Sequence, residues 1–95
     1  MAGKLELGTL VVTENVANRA KKEKAFYDFL VSSLSKYYMG MWGDTCADDE
    51  EVNNQAIING ENISAVYIYP ADRTKIWITT EWDRSVTTIL YPWEH

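Results

Sequence analysis

The residue pattern predicts an α+β fold, with an antiparallel sheet, made of an N-terminal strand and a C-terminal three-stranded meander, packed on two or three helices. Two observations predict it. Residues 5–13 and 63–91 are rich in β-formers, whereas residues 26–41 place apolar side chains at three- and four-residue steps. The order β-α-α-β-β-β is that of one sheet burying a single face against helices. With 95 residues and neither repeats nor linkers, positions 1–95 read as a single domain.

Leu5 to Thr13 is the first strand, with Leu5, Leu7, Thr9 and Val11 on one face. It can join the meander at its edge or in its middle. Thr13 or Asn15 offers an N-cap for a helical stretch in which Val16, Ala17 and Ala20 are the apolar positions. Phe26, Phe29, Leu30, Leu34, Tyr37, Tyr38 and Met41 then mark the clearest helix, stopped by Gly40. Lys21, Lys22 and Lys24 would oppose the dipole of a helix starting there, so the helix starts earlier or bends near residue 21. After the Trp42-Gly43-Asp44 turn, Thr45 and Asp48 resemble a capping box for another helix, which Asn59-Gly60 ends. The meander follows, with a turn at Pro70-Ala71-Asp72-Arg73 and a hairpin at TTEWDRSVTT, residues 79–88. In that hairpin an odd loop centred on Asp83 would gather Ile76, Ile78, Val86, Thr88 and Leu90 on one face. An even loop would pair Trp77 with Leu90 and Glu81 with Val86, mixing apolar and polar side chains, so the odd loop is expected.

The composition, 46% hydrophobic with four Trp and six Tyr, suits a cooperative core. A single cysteine, Cys46, allows no internal disulfide or zinc cluster, and the chain reads as cytoplasmic and independent of metal or other cofactors. No apolar run is long enough for a membrane span, and Glu6 interrupts the leader-like Lys4-Leu5-Glu6-Leu7. Residues 1–43 carry six Lys/Arg against four Asp/Glu, a balance of +2, and residues 44–95 carry three against ten, a balance of −7. That distribution disfavours direct nucleic-acid binding and permits a basic protein partner; oligomeric state is left open.

Catalytic constellations are thin. The one histidine is His95, so Ser-His and Cys-His chemistry lacks a base, and the five glycines form no phosphate loop. No catalytic residue is assigned. The acids Asp44, Asp48, Asp49, Glu50 and Glu51 do not fit a calcium loop, because the third, sixth and twelfth positions counted from Asp44 are Cys46, Asp49 and Gln55; acids at a helix start are favoured by its dipole. The aromatics Trp42, Tyr67, Tyr69, Trp77, Trp82, Tyr91 and Trp93 form either a thick core or, where exposed beside charges, a protein-binding surface.

Lys75 to Pro92, Trp42-Gly43-Asp44 and Leu5-Glu6-Leu7-Gly8 together resemble the short uncharacterised "plasmid-related" proteins of bacteria, phages and plasmids. The resemblance is specific in the Trp-Gly-Asp turn and in the hairpin Trp77 to Thr88, and departs in the longer, more basic first helix and the Trp-Glu-His ending. It implies a non-enzymatic accessory protein of a mobile element that binds a host or element protein, with an anti-defence role by analogy. Trp42, Asp44, Glu81, Trp82, Asp83, Arg84 and Ser85 are the candidate binding residues, with Asp44 expected beside Arg84 in one patch flanked by Trp42 and Trp82. Arg84 would then be a clamp or a partner-facing anchor. The alternatives are a small enzyme or nucleic-acid-processing accessory using Glu81, Asp83 and Arg84, an acidic nucleic-acid mimic built on residues 44–51, and a plain turn in which Asp83 caps its own loop.

Overall fold

The computed structural model describes residues 5–95; Lys4, at the head of the leader-like stretch, lies outside them. Strand β1 (Thr9–Val12) leads into helices α1 (Glu14–Lys22), α2 (Lys24–Tyr38) and α3 (Ala47–Asn59), then strands β2 (Ile63–Ile68), β3 (Lys75–Thr80) and β4 (Val86–Leu90) and a 3-10 turn, Pro92–Glu94. The fold is α+β, and the sheet order is β1-β4-β3-β2.

The meander is antiparallel as expected, but β1 is not. It lies on the free edge of β4 and runs parallel to it, Thr9 opposite Val86 through Val12 opposite Ile89, so the sheet is mixed. Three helices and strands β2 and β3 separate the two strands in sequence, and a connection of that length lets the chain return in the same direction. The single face expected for residues 5–11 also fails. Leu5 is buried and Leu7 packs on the core, but Gly8, at φ 64°, shifts the phase, so that Val12 packs inward and Thr9 and Val11 face out. A Cβ at Gly8 would collide with the carbonyl oxygens of Arg84 and Ser85, so this glycine lets the N-terminal segment seat against the hairpin backbone.

The expected helix bend falls at Glu23, whose backbone is extended (φ −135°, ψ 102°). Its carboxylate is held on both sides, accepting from Arg19 Nε at 3.1 Å and from the Tyr69 hydroxyl at 2.8 Å. Arg19 also bonds Asp72 at 2.6 Å and Thr74 at 2.8 Å and lies over the Phe26 ring, 4.4 Å from its centroid, tying the bend to the β2–β3 turn. α3 begins one residue later than the proposed capping box. Cys46 is its N-cap residue, while the Thr45 hydroxyl turns back to the Trp42 carbonyl at 2.6 Å; the helix ends at Gly60 in the left-handed conformation, as expected.

The β3–β4 hairpin adopts the even-loop register and not the odd one expected. Trp77 pairs with Leu90, Ile78 with Ile89 and Thr80 with Thr87, and Glu81 N–H donates to Val86 O at 3.0 Å around an even loop. The inward face is therefore Ile76, Ile78 and Thr80 against Thr87 and Ile89, all buried. Two buried threonines are tolerated because their hydroxyls form a chain. Thr87 donates to Leu7 O at 2.7 Å, which obliges Thr80 to donate to Thr87 (2.8 Å) and Tyr37 to donate to Thr80 (2.7 Å). That chain joins α2, β3, β4 and the N-terminal segment through the core.

Candidate functional site

The hairpin tip is fixed by Arg84. Its backbone adopts φ 61°, and its guanidinium reaches four carbonyls: Nη1 donates to Glu61 at 2.7 Å, Glu81 at 3.0 Å and Trp82 at 3.3 Å, and Nη2 donates to Ala56 at 3.0 Å. The negative end of a helix dipole attracts a cation there, and the planar fork spans several acceptors at once. Arg84 thus clamps the end of α3 to the hairpin. Asp83 accepts from Ser85 N–H at 3.0 Å and closes its own turn, and the Ser85 side chain and N–H hold its carboxyl below the usual range. Glu81 and Ser85 lie exposed on the same loop. Trp82 has no structural duty of this kind and is 62% exposed; Ile58, on the α3 end that Arg84 secures, is 75% exposed.

The other block does different work at the other end of β2. Trp42 is buried, edge-on to Tyr37 at 5.5 Å between ring centroids, with its indole N–H on Asn54 at 2.9 Å. A Cβ at Gly43 would strike the Tyr67 ring, so only glycine passes there. Asp44 receives Ile68 N–H on its carboxylate at 2.9 Å and donates its own N–H to Val66 O at 2.8 Å. Thr45 accepts Val66 N–H at 2.8 Å, and buried Asn53 pairs both ways with Ser64, at 2.8 and 3.2 Å. Together these groups occupy the outward-facing hydrogen-bonding positions of β2 from Ser64 to Ile68.

Asp44 and Arg84 therefore do not share a contact: Asp44 serves the Ile68 end of β2, and Arg84 lies beyond its Ile63 end. The joint patch flanked by Trp42 and Trp82 is corrected to two separate clamps, with Trp42 in the core. Sequence reasoning missed the edge seal, although Asp44 and Thr45 just before α3 and Asn53 within it carry short polar side chains of the kind that reach backbone. It also missed Arg19, which entered only as one of the six Lys/Arg of residues 1–43. The Thr74 hydroxyl and Arg19, both bonded to Asp72, hold its carboxyl below the usual range, at about 2.

No protein-family profile, curated protein or solved structure matches this chain. The cleft that Arg84 lines is formed by Leu5, Glu6, Leu7, Gly8 and Tyr38, and contains neither Glu81 nor Asp83. On the hairpin loop itself, Asp83 is engaged by Ser85 N–H and the Arg84 guanidinium by four carbonyls. Of the acidic block, Asp44 is committed to β2, Asp49 accepts from the Cys46 thiol at 3.2 Å, and Asp48, Asp49 and Glu50 fill the first turn of α3.

Proposed function

We propose that the chain is a non-enzymatic accessory protein of a mobile element that binds a host or element protein through the hairpin tip. The observation that carries this reading is the exposed indole of Trp82 on a loop whose backbone is held by Arg84 and Asp83. A rigid aromatic loses little conformational freedom on docking, and Trp and Arg dominate interface energetics. Ile58 supplies a second apolar contact on the α3 end, and Glu81 and Asp83 a charged rim complementary to a basic partner. The resemblance to plasmid-related proteins supports the mobile-element setting, in which an anti-defence role is one form such binding takes.

The test is a comparison of single substitutions in affinity capture from host cells. Trp82→Ala should lose a co-purifying protein that the wild type and Trp93→Ala both retain, with the melting temperature of Trp82→Ala unchanged. Retention of that protein by Trp82→Ala, or its loss from both variants, would remove the hairpin tip as the docking surface.

A further inference from the structure

The two edges of the sheet are treated in opposite ways. On β2 the outward groups are taken up by Asp44, Thr45 and Asn53. On β1 they are left bare. Thr9 N–H donates to Ser85 O at 3.0 Å and Thr13 N–H to Ile89 O at 3.1 Å, which sets the odd-numbered residues of the parallel ladder towards β4. The N–H and C=O of Leu10 and Val12 consequently point away from the sheet, and no described residue bonds them. The strand TLVV carries no charge, proline or bulge of the kind that blunts an edge, and Leu10 and Val11 are 45% and 42% exposed.

A second feature lies along the same edge. The segment from Leu5 to Val12 runs beside α2 in the opposite direction, with Leu5 N–H on Tyr38 O at 3.1 Å at one end and an apolar groove between Val12, Tyr27 and Leu30 at the other. Tyr27, Val31 and Tyr38 form an exposed stripe on α2, with half-buried Leu34 between them. Glu6 lies at the Tyr38 end of this strip and Lys21 at the Tyr27 end.

We infer that this chain forms a twofold dimer through β1, with the axis at Val11 and the two strands antiparallel in one continuous sheet. In that register Leu10 N–H and C=O meet Val12 C=O and N–H of the second copy, and the reverse, so the bare groups of both edges are satisfied without a shift. The same axis sets the two α2 helices antiparallel and stripe to stripe on the core face. It also brings Glu6 of each copy towards Lys21 of the other, so the charges at the ends of the strip are complementary while its middle is uncharged. A pairing of four-residue strands alone is smaller than a stable interface, which covers about 800 Å² per partner; the α2 stripe supplies the remainder. An unrelated extended peptide could take the strand edge but would leave that stripe uncovered.

Sedimentation velocity on the full chain should give twice the mass of one chain. Val11→Lys and Val11→Glu should each be monomeric and folded by circular dichroism, because like charges then oppose each other at the axis. Mixing the two should restore a one-to-one heterodimer, which only an axis at residue 11 allows. Amide exchange at Leu10 and Val12 should be slow in the wild type and fast in Val11→Lys, whereas Val11, bonded to β4, stays slow in both. A monomeric wild type overturns the proposal and leaves the edge to a foreign strand. A dimer that survives Val11→Lys, or charged variants that fail to combine when mixed, places any interface elsewhere.

Discussion

Arg84 and Arg73 share an unfavourable backbone conformation, at φ 61° and 67°, which crowds the Cβ of any L-residue. They differ in what the side chain returns. Arg84 spans four carbonyls, whereas Arg73 lies exposed and forms no side-chain hydrogen bond among the described residues. Two substitutions separate strain from clamp. Arg73→Gly should leave stability unchanged or raise it by up to about 1 kcal/mol, since only strain is relieved. Arg84→Ala should lose about 1 to 3 kcal/mol through its charged hydrogen bonds, and Arg84→Gly should lose less than Arg84→Ala because the same strain disappears. Chemical denaturation of the four proteins checks the order, and equal losses for Arg84→Ala and Arg73→Gly would show that the clamp contributes nothing. The clamp was partly legible in sequence: an Arg beside a hairpin can bind carbonyls, but its place at the end of α3, 28 residues away at Ala56, depends on packing that local pattern does not encode.

At the scale of the elements, the register of β3 against β4 turns on Thr80 and Thr87. Alternation read from side-chain polarity gathered Ile76, Ile78, Val86, Thr88 and Leu90 on one face, and that grouping, in which Thr80 and Thr87 do not share the buried face, led to the odd loop. It failed because the Tyr37 hydroxyl and the Leu7 carbonyl, 43 and 80 residues away, satisfy them inside. A buried threonine with partners packs like valine, so polarity loses its value as a marker of face. Strands, helix bend, C-cap and meander were all legible because each rests on local residues; the direction of β1 and the hairpin register were not, because each is set by distant contacts. Thr87→Val keeps the shape but leaves Leu7 O without its donor and Thr80 without its acceptor, and should cost about 1 to 3 kcal/mol. If Thr87→Val were as stable as the wild type in urea, the hydroxyl chain would be incidental to the register.

Over the whole molecule, the same chain makes stability sensitive to alkali. Tyr37 sits at its head as an obligate donor, and burial raises its hydroxyl from 10.0 to about 12. Burial pushes Tyr67 upward as well, with its hydroxyl donating to Met41 O at 2.7 Å. In the unfolded chain these phenols ionise near their ordinary value, so the unfolded state loses protons first as pH rises. The contribution from keeping Tyr37 neutral is therefore complete below pH 10 and is lost progressively towards about pH 12, on the order of 2 kcal/mol from this residue. Tyr37→Phe removes the titration together with the donor. It should begin less stable, because Thr80 loses a partner, and should fall less steeply than the wild type between pH 10 and about 12. Lysine titration affects both proteins alike, so the difference in slope isolates Tyr37. Unfolding midpoints measured across that window decide it: parallel curves would mean that the Tyr37 proton is not what holds α2 to the sheet in alkali.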